Sequence, residues 1–239
     1  MIVRETNDHF VLITQPDHAH LAEEIVGAMA TEPSLHGAAR AAILLASREH
    51  DNGWTDVDAL PTIDPVTKRP CNFMHGPAAV KHELWMRGVT RVARENPHAG
   101  ALVAEHAITV YGYRRHDAEW DSFFAALRAM RDDLLGRIGM LSGSPRKAFE
   151  QQYRCVRLGD SFSLHFCHAW AEPQHTLDYS STMNGTTLVI SPDPFAGRTI
   201  PLRVMGRRIA ARAYTSDADV RTALAAVTPE LIAGDARGR

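Results

Sequence analysis

The 239-residue sequence has only three cysteines, Cys71, Cys155 and Cys167, and no two of them form a CxxC pair. A disulfide framework is therefore not expected, and a reducing, cytoplasmic setting is the simpler reading. Long uncharged apolar runs are missing, and the opening residues MIVRETNDHF lack a signal-peptide core, so neither a membrane span nor a cleaved leader is expected. A surplus of one charge is missing too. The 26 Lys and Arg against 28 Asp and Glu leave a formal charge of −2, spread along the chain, which argues against nucleic-acid or membrane partners. There is no Gly-rich phosphate loop, no GxSxG elbow and no HExxH helix. His82-Glu83 begins like the last, but Met86 stands where the second histidine belongs.

What is present is an ordinary globular composition, 45% hydrophobic and 23% charged, in a length that suits one large domain. The expected division is a single domain over 1–239, with a helical core at about 15–170 and a β-rich C-terminal appendage at about 172–239. The unusual feature is the 13 histidines, whose positions on helices matter more than their number.

Ile2-Val-Arg-Glu5 and Phe10-Val-Leu-Ile-Thr14 read as a hairpin around Asn7-Asp8. Gln15-Pro-Asp17 then starts a helix to about Ala30, striped by Leu21, Ile25, Ala28 and Met29; His18 falls on that stripe and His20 off it. An apolar stretch from Gly37 to Glu49 reads as a second helix, stopped by Asn52-Gly53 with Gly53 in the left-handed turn. His50 and Asp51 lie at its end, where the imidazole either caps the helix dipole or, with its neighbour, ligates a cation. A proline-rich loop follows, Thr55 to Phe73. The third helix, about Gly76 to Glu95, carries His82 on the side of Trp85, Val89 and Val92. The fourth, capped by Asn96 ahead of Pro97, carries His106 at the centre of its stripe. A fifth helix runs from a cap at Asp117 to Met140, and a sixth opens at Ser144-Pro145 with Asp160 in the middle of its inward face. A buried carboxylate without a partner is costly, so Asp160 is expected to be ion-paired, hydrogen-bonded or metal-bound. Beyond Glu172 the short runs 187–190, 200–204 and 208–214 read as strands, with Met205-Gly-Arg207 as a hairpin turn, then a short helix from Asp217 and a frayed tail.

Four helices thus each turn one imidazole inward, and two carboxylates accompany them, which is how helical bundles assemble metal sites. The order H…HD…D resembles the HD superfamily of metal-dependent phosphohydrolases. Thr14-Gln-Pro-Asp-His18, His50-Asp-Asn-Gly-Trp54 and Leu158-Gly-Asp-Ser-Phe-Ser-Leu164, with His106 after Asn96-Pro97, resemble the DUF3891 family of uncharacterised proteins.

The resemblance implies a mainly α fold, an HD-domain-like helical bundle; the residues themselves add a small N-terminal hairpin and a C-terminal antiparallel β-meander that the hairpin is free to join. It implies His18, His50, Asp51 and Asp160 as metal ligands, His106 and Asp51 as catalytic groups, and His82 with His106 as ligands of a second metal. The cofactor would be one or two divalent ions of Mn, Fe or Zn. The reaction would be hydrolysis of a small phosphorylated substrate by a metal-activated water. Two alternatives stand beside it: a di-iron oxygenase, and a non-catalytic helical protein with a structural metal or ligand pocket. Oligomeric state is left open.

Overall fold

The computed structural model describes residues 1–239. Its chain opens with the expected hairpin, β1 (Ile2–Glu5) antiparallel to β2 (His9–Ile13). Helix α1 (Gln15–Ala28) starts where Thr14 accepts a hydrogen bond from the Asp17 amide, and Pro16 occupies a first-turn position that needs no donor. Helix α2 (Arg40–Glu49) ends at His50 and passes into a 3-10 turn over Asn52–Trp54 and the short α3 (Thr55–Ala59). Gly53 does not take the left-handed turn expected of it. It is needed for close approach instead: a Cβ there would stand 2.2 Å from the Leu84 carbonyl oxygen.

Helices α4 (Ala78–Glu95) and α5 (Pro97–Val110) meet at Asn96, whose side chain accepts from the amides of His98 and Ala99. Then come α6 (Asp121–Arg137) and the long α7 (Gly143–His168). The expected caps of these two helices are displaced. Asp117 precedes a 3-10 turn and pairs with Arg114, while Ser142, not Ser144, holds the cap position of α7. Helix α1 packs on α2 and α7, and α5 packs on α4 and α6. No helix is long and apolar enough to cross a membrane.

The C-terminal third overturns the mainly α, HD-like bundle and the all-α reading. Helix accounts for 54% of the chain and strand for 19%, in an α/β fold. Strands β3 (Gln174–Thr176), β4 (Tyr179–Asn184), β5 (Thr187–Ser191), β6 (Thr199–Ala210) and β7 (Glu230–Gly238) join the opening hairpin in one seven-stranded sheet, ordered β1-β2-β6-β7-β5-β4-β3. All neighbours are antiparallel except β5 with β7, so the sheet is mixed, and it curls into a half-barrel. The expected hairpin at Met205-Gly-Arg207 does not form; β6 runs straight through it for 12 residues. Gly206 sits there because a Cβ would meet Ile232 at 2.7 Å and Val11 at 3.1 Å, so a glycine read as a turn is a packing position within the sheet. The supposed frayed tail is β7, which pairs with β6 and β5 at the middle of the sheet.

Helices and strands share a core. One apolar cluster of 44 buried residues runs from Val89, Leu102 and Phe149 on the helices to Leu188, Leu202 and Ala236 on the strands. A smaller cluster joins β2 and β6 to helix α8 (Asp217–Ala225) through Phe10, Ile209, Tyr214 and Val220.

Candidate metal centre

Four helical elements bring five of the predicted side chains to one point. His18 comes from α1, His50 and Asp51 from the end of α2, His106 from the middle of α5 and Asp160 from the middle of α7; all five are buried. His18 Nε2 lies 3.0 Å from Asp51 Oδ2, 3.2 Å from His50 Nε2 and 3.7 Å from Asp160 Oδ1. His50 Nε2 lies 3.4 Å from Asp160 Oδ1 and 3.6 Å from Asp51 Oδ2. His106 Nε2 faces the other oxygen of Asp160, Oδ2, at 3.6 Å.

These separations discriminate between a metal cage and a chance cluster. Two donors each about 2.1 Å from one ion stand about 3.0 Å apart at octahedral angles and about 3.4 Å apart at tetrahedral ones. Three of the five separations among His18, His50, Asp51 and Asp160 fall in that range and the other two, 3.6 and 3.7 Å, lie just beyond it; two overlapping triads, His18-His50-Asp51 and His50-His106-Asp160, each have their ligand atoms within 4.8 Å of one another.

Hydrogen bonds behind the cluster set which nitrogens face it. His50 Nδ1 lies 2.7 Å from the Ser47 carbonyl oxygen, which can only accept, so Nδ1 carries a proton. Ser163 Oγ donates to the Asp160 carbonyl at 3.0 Å and lies 2.8 Å from His18 Nδ1, so it accepts the Nδ1 proton of His18. Both imidazoles therefore turn Nε2 inward, and inward-facing Nε2 lone pairs and carboxylate oxygens within 3.7 Å need a cation among them. Burial opposes charge on His50, yet Asp51 and Asp160 outweigh it and raise its pKa to about 9, so a proton serves as that cation when no metal does. Burial likewise opposes ionisation of Asp160, but His50 and His106 hold its carboxyl well below the usual carboxylate range, and His50 and His18 do the same for Asp51. His106 differs: burial pushes it down to about 4, so it is neutral at pH 7, with Nδ1 3.4 Å from the Tyr153 hydroxyl. A divalent ion with two carboxylates and neutral imidazoles leaves no net buried charge, and this N/O donor set suits Mn, Fe or Zn.

His82 does not join the cluster. Its ring stacks on Phe123 at 4.7 Å and meets Trp120 edge-on at 4.5 Å, so the inward side of α4 is an aromatic layer at that level. His20 is exposed, as its place off the stripe implied. Reasoning from sequence missed the groups that orient the clustered side chains. Ser163 was recoverable, because it lies three residues from Asp160 on a helix and so shares its face. It also missed a cavity of about 400 Å³ beside the cluster, lined by Asp51, His106 and Asp160 together with Trp54, Phe73, Trp85 and Tyr111.

Fold and site together define an α/β protein whose helical half holds a buried His/Asp cluster with the chemistry to take a metal ion. The chain belongs to the family described as protein of unknown function (DUF3891), whose model matches residues 1–211. No curated protein and no solved structure matches it. The expected link to the HD superfamily gains no support from these comparisons.

Proposed function

We propose that the protein is a metal-dependent hydrolase of a small phosphate ester, with His18, His50, Asp51 and Asp160 holding one divalent ion. The observation that carries this reading is that the cluster borders a cavity: Asp51, His106 and Asp160 line it, whereas a structural metal is closed off by its ligands. A bound divalent ion supplies a water acidified towards neutrality and a Lewis acid for a phosphoryl oxygen. The chain's residues do the remaining work. His18 and His50 are locked with Nε2 inward, Asp51 and Asp160 stay ionised, and neutral His106 lines the cavity where it can take or give a proton at Nε2.

One ion is favoured over two. With Nδ1 committed to the Ser47 carbonyl, His50 has a single lone pair and cannot serve both triads, and His82, the extra ligand a second ion would use, lies among aromatic rings. That ligand count disfavours the di-iron oxygenase alternative.

Protein purified without chelator should contain about one Mn, Fe or Zn per chain by elemental analysis and should hydrolyse members of a phosphomonoester panel that includes p-nitrophenyl phosphate. Asp51→Ala should abolish metal binding, His106→Ala should keep the metal and lose at least 100-fold in kcat, and His20→Ala should change neither. Absence of metal even after reconstitution would refute the reading. So would a metal-loaded protein that consumes oxygen but leaves the whole panel intact.

A further inference from the structure

The cavity beside the cluster has a mixed lining. The carboxylates and His106 form part of it; most of the remaining wall is aromatic, from Trp54, Phe73, Trp85 and Tyr111, and Met74 and Tyr113 in the lining are exposed. Lys81 is the only Lys or Arg in that lining. It comes from α4 and is only 5% exposed. Its ammonium donates to the Met74 carbonyl at 2.8 Å and lies 5.7 Å from the centre of the Tyr111 ring. Both of those partners also line the cavity, so the nitrogen sits at its wall.

What Lys81 lacks is a carboxylate. No Asp or Glu figures among the charges that act on it; Arg114 repels it, and burial with that repulsion lowers its pKa from the ordinary lysine value. An ammonium has three donors, and a carbonyl and a ring face leave donor capacity unused. A buried charge without a counter-ion is costly, which makes an anion entering this cavity the natural complement. Flat aromatic walls likewise favour a flat apolar body between them, and about 400 Å³ admits one of two fused rings.

We propose that this cavity binds an organic anion with a flat apolar body, and that Lys81, not the His/Asp cluster, holds an anionic group of that ligand. The proposal names the substrate class of the hydrolase above and rests on that reading only for which end of the ligand reacts. It requires the anion to be held by the lysine and not by a metal, so the two ideas fail separately.

The test is titration of 1-naphthoate and its neutral analogue 1-naphthamide, followed by tryptophan fluorescence, on the protein as purified and after removal of metal by chelator. Wild type should bind 1-naphthoate at least tenfold more tightly than 1-naphthamide in both preparations. Lys81→Met should bind the two equally, and Lys81→Arg should keep the preference. Circular dichroism checks that each variant is folded; if the Met variant is not, Lys81→Gln, which keeps a donor for the Met74 carbonyl, takes its place with the same expected outcome. An undiminished preference in the uncharged variant, no preference in wild type, or a preference confined to metal-loaded protein would each overturn the proposal. A Lys81-dependent preference in a protein that binds no metal would support it while refuting the proposed hydrolase.

Discussion

Ser163 decides which nitrogen His18 offers to the cluster. Its hydroxyl proton is committed to the Asp160 carbonyl, so it holds the imidazole by accepting at Nδ1. Groups behind metal ligands commonly contribute 10–100-fold to metal affinity. Ser163→Ala should therefore weaken metal binding by about that factor, measured by competition with a chromogenic chelator, while leaving the fold intact by circular dichroism. Unchanged affinity would mean that His18 is oriented by packing alone. At this scale the sequence was informative about which side chains gather in the cluster and silent about what orients them. His18, His50, His106 and Asp160 stand out because a polar group on an apolar helical stripe is conspicuous, and Asp51 follows from its neighbour. His82 has the same signature yet ends between Trp120 and Phe123, since periodicity says that a side chain points inward but not which layer it meets. Ser163 and Lys81 resemble ordinary polar residues of an amphipathic helix until the neighbouring elements are in place.

Two of the helices that carry the His/Asp cluster are held together through a glycine. Gly159, beside Asp160 on α7, lies against α1, where an added Cβ would stand 2.4 Å from Val26 Cγ2 and 3.0 Å from the Ala22 carbonyl oxygen. The Val26 side chain can turn away, but the carbonyl belongs to the backbone of the helix that carries His18. Gly159→Ala should thus separate α1 from α7, at a cost of about 1–3 kcal/mol in urea-unfolding stability, as overpacking in well-packed cores does. It should also weaken metal binding, because His18 and Asp160 move apart with their helices. Equal stability and unaltered affinity would show that α1 and α7 can slide without disturbing the cluster. The helices themselves were legible, because Thr14 with Pro16 and Asn96 with Pro97 mark their starts and stripes at a 3.6-residue period mark their faces. The starts of α6 and α7 were less so: Asp117 and Ser144 have the chemistry of caps, but Asp117 is committed to Arg114 and the chain turns into α7 at Ser142.

At the scale of the whole molecule, the sheet is where sequence reasoning stopped short. The opening hairpin was free to join the C-terminal strands and does so, but in one mixed seven-stranded sheet and not a meander added to a bundle; its central strand, β7, is the run Glu230-Leu-Ile-Ala-Gly-Asp-Ala-Arg-Gly238, where no strand was expected. Its place comes from pairing, which no single segment encodes. β7 matches eight positions of β6, Thr199–Gly206, and four of β5, Thr187–Ile190, and it inserts Ala236 into the core. Gly234 lies so close to α7 that a Cβ there would stand 2.7 Å from the Phe166 ring, which links this strand to the helix bearing Asp160. β7 lies beyond residue 211, where the family match ends, yet the matched residues depend on it for their pairing. Each net backbone hydrogen bond contributes about 1 kcal/mol. Twelve paired positions are then comparable with the roughly 5–15 kcal/mol by which a domain is stable. A chain ending at residue 228 should accordingly lose its cooperative thermal transition or fail to accumulate in soluble form, and should hold no metal, whereas the 239-residue chain should melt in one step by differential scanning calorimetry. A truncated protein that melted within about 5 °C of the full chain, a shift of roughly 1–2 kcal/mol at this size, would show that β5 and β6 close the sheet without β7. The metal centre would then depend on the helices alone.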